Sequence, residues 1–474
     1  MRAEARALVP SLPRYSHDVT SPGSDVIYSW IEDLCRTPHR RPGSDEGHAG
    51  EQWVAARLRD LGVEQVTLDP VDVTVWQATR WSLTVAGAEV PSFFVPHTAF
   101  TGAEGVTAPL VYVGTGRTRD FEREDIRGKI VVADVPFPRL PTGVLLRLAR
   151  AGYAISDPHG WLRLGSTQVM TYVRRNFVGG AEHAGEAQES DVYWQAQKRG
   201  AAGICLILRD QPSSSNSHYG PYDGISKPLS GLWIGKRDGA RLRMLARARA
   251  QATLTLEGRS APGVTHNVWG VLPGRSDEVV LVTSHHDAPF TGAVEDAAGV
   301  AQVLAQAWAW SRVADRPRTL VFCVDAGHFH GSAGAFAFAR DHRDVMARTR
   351  VLITLEHLAA REVVERDGRY ADTGRLALTV MFTTPRLDVI AAVMRALEEK
   401  RPPATVAIPS DFFGPVPTSD ALGYVLEAGV PVVSWIGCPY YLLDEHDTLD
   451  KIDRAALGPI AETATALVKT FMVA

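Results

Sequence analysis

The sequence predicts an α/β protein built on a doubly wound, mostly parallel mixed sheet. From about Asn267 onward, short runs rich in Val, Ile and Leu alternate with helical patterns. That alternation is the mark of βαβ units. Polar residues fall where the apolar runs end, which is where open α/β sheets bind ligands. At 474 residues the chain is long enough for two or three domains and a large core.

Taken in order, residues 1–20 read as an arm and residues 25–34 as a helix. The Arg-Pro-Gly-Ser stop at 41–44 is a turn. An amphipathic helix runs from Glu46, with Trp53, Val54, Ala56, Leu58 and Leu61 apolar and Gly62 as its stop. Residues 66–75 and 81–90 alternate like two strands. A different block spans about 101–260. It opens with APLVYVGTG and DIRGKIVVADV, read as strand–turn–strand with Gly128 at the turn. VYWQAQKRGAAGICLIL reads as helix, glycine and buried strand, and KRDGARLRMLARARA as an amphipathic helix before the strand ATLTLEG. Between them lies a polar stretch, 210–227, too long for a plain connection, so it is functional or disordered.

In the last block VVLVTSHHD, TLVFCVDAGHF, VLITLEHLA and GVPVVSWIG read as strands. AAGVAQVLAQAWAWSR, GSAGAFAFARDH, LDVIAAVMRALEEK and ALGPIAETATALVKTFMV read as helices.

Net charge is −4 and the pI is near 6.4, with no Lys/Arg run of nucleic-acid-binding length. The four cysteines, Cys35, Cys205, Cys323 and Cys438, lack metal-ligand spacing. No apolar leader and no window of roughly 18 apolar residues is present, so the expectation is a cytoplasmic protein with no membrane and no nucleic-acid partner.

Residues 279–300, VVLVTSHHDAPFTGAVEDAAGV, concentrate the chemistry. An apolar run breaks into His285, His286 and Asp287, then a loop leads to Glu295 and Asp296 before a small-residue helix start. His285 suits a divalent metal, Asp287 can orient its ring, and Glu295 can add an oxygen. The alternative is a polar strand end without chemistry.

From PHRRPGS at 38–44 to DTLDKID at 447–453, the chain resembles the co-catalytic zinc aminopeptidases and carboxypeptidases. That group includes aminopeptidase Y, bacterial leucyl aminopeptidase and glutamate carboxypeptidase. The resemblance implies a zinc-exopeptidase-like fold of doubly wound, mostly parallel mixed sheet. The cues APLVYVG, DIRGKIVV, KRGAAGICLI and NVWGVLPG resemble an inserted, mainly β protease-associated (PA) domain. The implied domains are 1–100, an arm and first catalytic part; 101–260, the PA-like insert; and 261–474, the main catalytic part.

The family's His-x-Asp falls on His285 and Asp287. Its bridging Asp, in Gly-Ala-x-Asp-Asn/Asp, falls on Glu295 in GAVEDAAG, with Asp296 next. Its Gly-Glu-Glu-x-Gly, general base then ligand, falls on His328 and Phe329 in GHFHGSAG. The Asp after a buried strand falls on Glu356 in VLITLEHLA. The final His, counted back from the Asp-Thr pair at Asp447, falls on Leu443 in PYYLLDEHDT. The resemblance therefore implies one site kept, with metal ligands His285, Glu295 and Glu356. The second is vacated at Phe329 and Leu443, whose side chains cannot bind a metal. Each Glu reaches roughly 1.5 Å further than the Asp it replaces.

Catalytic roles fall to Asp287, behind His285, and to His328, as proton acceptor or as a further ligand. His446, Asp420, Asp296 and Tyr441 are further candidates for a ligand or a substrate contact; Asp420 reads equally as a helix N-cap. His357 is discounted, because strand alternation would turn it to the other face. His286 reads as packing, and His330 as facing away from the site. Residues 160–189 and 210–227 are candidate rim segments.

The implied cofactor is one divalent metal, Zn first, with Fe or Mn as alternatives. The function expected is metal-dependent hydrolysis of an amide bond in a small peptide, a modified peptide or an amino-acid amide. The glutaminyl cyclases, which resemble this family, make cyclisation or acyl transfer an alternative. A metal-free pseudopeptidase that binds a ligand is another.

Overall fold

The computed structural model describes residues 18–144, 153–168, 192–412, 414, 417 and 419–473. Most of the arm and most of the rim segment expected at 160–189 lie outside the described residues.

Two helices open the described chain, α1 (Ser24–Leu34) and α2 (Asp45–Asp60). The hydroxyl of Ser44 accepts a 3.0 Å bond from the Gly47 N–H, fixing where α2 begins. The strand β1 (Glu64–Val85) follows, where two strands were expected. Residues 77–80 carry neither Gly nor Pro, so the chain has nothing to turn it and crosses only a bulge at Ala78/Arg80. The middle block supplies β2 (Val106–Tyr112), β3 (Ile130–Pro136), β4 (Gly203–Arg209), β5 (Gly231–Ile234) and α3 (Lys236–Arg247). β2 and β3 are parallel, not the antiparallel pair a simple turn would make, so their connection crosses over through a short helix at Thr118–Glu122.

The strand β6 (Gln251–Leu272) returns along β1 as an antiparallel ribbon. One end of β6 pairs with β2 and the other with β8 (Arg318–Asp325), so this ribbon joins the middle block to the main sheet. The main sheet adds β7 (Ser276–His285), β9 (Thr349–Glu356), β10 (Thr379–Thr383), β11 (Thr405–Pro409) and β12 (Val432–Gly437). Its order runs β6-β8-β7-β9-β12-β10-β11. The β8/β7, β7/β9 and β9/β12 pairs are parallel; β6 and β10 join antiparallel. This is the α/β architecture expected, a large mixed and mostly parallel sheet.

Helices α4 (Ala298–Ser311), α5 (Ala333–Asp341), α6 (Leu387–Lys400), α7 (Leu422–Ala428) and α8 (Arg454–Phe471) cover the sheet. α4 is buried over most of its length, and its two glutamines are spent inside. Gln302 and Gln306 donate to the carbonyls of Leu457 and Ala461 on α8. The hairpin Arg361–Arg366 with Arg369–Leu376 stands outside the main sheet. Among the described residues, no helix is long and apolar enough to cross a membrane. The parallel strands β7, β8 and β9 end side by side, and the loops leaving those ends carry the polar cluster.

Candidate metal centre

His285 closes β7 with its side chain buried. Its Nδ1 lies 3.0 Å from the Asp287 carbonyl oxygen and 3.5 Å from that residue's carboxylate. The other nitrogen, Nε2, therefore faces inward, 3.3 Å from Glu295 Oε1 and 3.8 Å from Asp420 Oδ2. The Asp287 carboxylate also accepts the N–H groups of His328 (3.2 Å) and Phe329 (2.9 Å), tying the loop after β8 to the end of β7.

Glu295 is held from behind. Asp447 accepts the N–H groups of Val294 and Glu295 at 2.9 and 2.8 Å. Glu295 Oε2 lies 2.9 Å from His357 Nε2. His328 stacks on His285 with ring centroids 4.0 Å apart, and its Nδ1 lies 2.9 Å from Asp420 Oδ1. Two triads result, His285–Glu295–His357 and His285–His328–Asp420, all buried and each with donor atoms close enough to share one ion.

The donors fit a metal. His285 Nε2, Glu295 Oε1, His357 Nε2 and both Asp420 oxygens are buried without an aligned hydrogen bond, despite the close approaches just given. Buried polar atoms left this way cost free energy unless something binds them. Donors about 2.1 Å from a tetrahedral ion stand roughly 3.4 Å from one another. The 3.3 Å between His285 and Glu295 matches that edge.

Two sequence expectations change here. Glu356 does not join His285: its carboxyl accepts Thr354 Oγ1 (2.7 Å), Ser434 Oγ (3.2 Å) and the Asp420 N–H (3.2 Å). His357, which had been discounted, stands beside Glu295 instead. The strand ends at Glu356 and His357 takes φ +52°, so the alternation that would have turned it away no longer applies. The Asp296 carboxylate fixes that turn by accepting the His357 N–H (2.8 Å), with the Ser284 hydroxyl on its other oxygen (2.6 Å). The signal available in the sequence was the histidine directly after the last apolar alternation.

Asp420 is 3 % exposed and lies inside the cluster; no side-chain cap on α7 involves it. His446 is not brought to the centre: its ring is half-exposed and bonds Asp444 at 2.6 Å. Tyr441 is buried and donates to the Arg361 carbonyl, away from the centre. Phe329 and Leu443 are both buried in the hydrophobic core, and the Phe329 ring stands 6.1 Å from His285. His286 bonds the His266 carbonyl and His330 the Thr74 carbonyl, both outside the cluster.

The field at the centre is strongly anionic. Burial works against a charged His285, but Asp420, Asp287, Glu295 and Asp296 reverse this and push its pKa well above the imidazole range. His357 is likewise driven up to about 10: burial opposes it and the Glu295 carboxylate outweighs burial. Glu295 stays well below the carboxylate range, its burial offset by His357 and His285. Beneath the cluster, burial lifts Asp325 to about 7; it accepts the Tyr424 hydroxyl at 2.6 Å.

The centre is closed. A cavity of about 10 Å³ remains between His285, Asp325, His328, Ser332 and Asp420, space for about one water. The long stretch expected at 210–227 supplies the cover. Tyr222 stacks on His328 at 5.2 Å and Tyr219 packs edge-on to Phe329 at 5.7 Å. Its backbone is pinned by Tyr219 N–H to the Leu443 carbonyl and Gly331 N–H to the Tyr222 carbonyl, both 2.9 Å.

The cluster sits at strand ends of a doubly wound sheet, where open α/β sheets bind ligands. Residues 267–468, which hold every candidate ligand of this centre, match the model of Peptidase family M28. Solved structures share the fold over nearly the whole chain. A zinc aminopeptidase from Bacillus subtilis is 17% identical, with 97% of this chain and 96% of that chain covered and a TM-score of 0.69. A peptidase M28 precursor from Shewanella amazonensis SB2B is 20% identical, covering 95% and 93% with a TM-score of 0.68. An aminopeptidase from Aneurinibacillus sp. strain AM-1 is 19% identical, covering 94% and 93% with a TM-score of 0.62. These likenesses establish a zinc-aminopeptidase fold. No curated protein matches the chain.

Proposed function

We propose that this protein is a metal-dependent amide hydrolase whose centre holds a single divalent ion, Zn²⁺ first, between His285, Glu295 and His357. The observation that carries this is the shared membership of His285. It belongs to both triads, but its Nδ1 is turned to Asp287, leaving one nitrogen for one ion. The apolar side chains of Phe329 and Leu443 support the same count, since neither can coordinate. Bound there, the ion supplies Lewis-acid polarisation of a carbonyl and acidifies a water.

The chain's own residues supply the rest. Asp287 sets the His285 ring from behind and fixes the loop that carries His328. Asp420 faces His328 Nδ1 at 2.9 Å. The His328 Nε2 lies 3.8 Å from Glu295 Oε1, which places it at the centre as proton acceptor. Asp296 and Asp447 set the backbone of His357 and Glu295. Phe329, Tyr219 and Tyr222 keep the centre dry, which strengthens every charge interaction inside it.

The substrate class we propose is a small peptide or amino-acid amide, delivered when residues 217–224 move aside. We read the block 101–260 as a PA-like insert that controls this access. A chain reconstituted with zinc should release amine from a panel of amino-acid amides, and release should stop when His285 is replaced. Failure to hydrolyse any amide, free or blocked at its amino group, would sink the reading. Cyclisation of N-terminal glutamine peptides in the same panel would convert it to acyl transfer.

A further inference from the structure

A second cluster lies between α2 and β6 and shares no residue with the centre described above. His48 and Glu51 stand three residues apart on α2, so they share one face. His266 presents its ring from β6. Glu51 is buried at 1 % side-chain exposure, whereas the His48 and His266 side chains are 41 % and 29 % exposed.

One Glu51 oxygen is fixed: Oε1 accepts the Thr265 hydroxyl at 2.6 Å and the His266 N–H at 3.0 Å. The other, Oε2, faces both rings, with His48 Nδ1 at 2.9 Å and His266 Nδ1 at 2.8 Å. The rings stand 5.7 Å apart and tilted by 55°, so they converge on that oxygen without stacking on each other. The arrangement supplies two imidazoles and one rigid carboxylate oxygen, and it opens to water, which can complete a coordination shell and admit an ion.

We propose that His48, Glu51 and His266 form a second, solvent-accessible divalent-metal site, of the imidazole-rich kind that takes Zn²⁺ or a similar transition ion. The site ties α2 to the stretch of β6 that braces the centre. Asn267, the next residue, accepts the Ala326 N–H at 2.8 Å and donates to the Gly334 carbonyl at 2.9 Å. Those two bonds bracket the loop that carries His328. His286, next to His285, bonds the His266 carbonyl at 2.9 Å. An ion here would stiffen the frame of the first centre without touching it.

The test is a zinc titration of the full chain, prepared without a metal-binding tag and read as equivalents bound. His48→Gln keeps an amide N–H that can reach Glu51 but loses the imidazole. It should bind one equivalent fewer than the parent chain, with an unchanged unfolding midpoint in chelator. The upward shift of that midpoint on adding zinc should also shrink. His285→Ala with His357→Ala should keep the equivalent that His48→Gln loses. Equal stoichiometry in the parent and His48→Gln would overturn the proposal and leave the cluster a hydrogen-bonded brace. Adding His48→Gln to the His285→Ala/His357→Ala chain gives the same decision independently: one further equivalent lost supports it, none lost overturns it.

Discussion

At the residue scale, the resemblance made Glu356 a ligand and strand alternation turned His357 away, whereas His357 stands beside Glu295 and Glu356 bonds Thr354 and Ser434. A strand turns successive side chains to opposite faces only while it remains a strand. With φ +52° at His357 that rule lapses, and an Asp296 carboxylate that accepts its N–H makes the turn permanent. Replacing His357 by Ala should therefore lower zinc affinity at least about 10-fold, the loss typical of disturbing a metal's ligand sphere. Glu356→Gln should change it by much less. Equal losses in the two variants, measured by competition with a chromogenic chelator, would return Glu356 to the ligand set. Phe329 and Leu443 carry a second prediction. Made in a His48→Gln chain, replacing them together by Glu and His should raise zinc content from one towards two, read by mass spectrometry. Content that stays at one would mean that these two positions do not border a vacated site.

At the element scale, residues 217–224 cover the centre. They lie in the long irregular stretch that the sequence marked as functional or disordered, and the reason they are ordered is tertiary. Tyr219 and Tyr222 lay their rings on Phe329 and His328, and two backbone bonds close the cover. Gly224 is the weak point of this contact. It sits at φ +67°, and a Cβ there would stand 3.0 Å from the His330 Cα. Alanine should strain the backbone by about 1 kcal/mol and lift the cover from His330. Zinc should then escape to a chelator faster than from the parent chain. An unchanged release rate with a lowered unfolding midpoint would show that the cover does not limit access.

At the scale of the whole molecule, stability should depend on pH through histidines buried in apolar surroundings. His218 packs edge-on against Phe137 and Trp233, and burial pushes its pKa down to about 3. The unfolded chain takes up that proton near pH 6.5. Between these values the unfolded state binds more protons, so stability is full above about pH 6.5 and falls as the pH drops towards 3. At about pH 5 the loss from this one group is on the order of 2 kcal/mol. His218→Phe should lessen the fall in unfolding free energy between about pH 7 and pH 5 by that amount. An identical pH slope in parent and variant, measured by denaturant titration, would remove His218 as its source.

The alternating strands and helices after residue 267 were legible because each buries an apolar face with its own period. That period is a local property of the chain. The same local logic put His285 and Asp287 at a strand end, since polar residues interrupt an apolar run where the strand leaves the core, and Glu295 at the helix entry beyond the loop. The single 22-residue course of β1 was not legible, because its continuity comes from pairing with β6, nearly two hundred residues away. Asp420 read equally as a helix cap and as a pocket residue; only the tertiary bonds of its N–H to Glu356 and of Tyr424 on α7 to Asp325 chose between them. Which imidazoles meet which carboxylates, and which loop seals them in, depends on groups from distant parts of the chain reaching one volume of a few ångströms. A sequence orders such groups along a line. The sheet brings them together in space, and the buried donors left without an aligned hydrogen bond there are what make that meeting a candidate site for a cation.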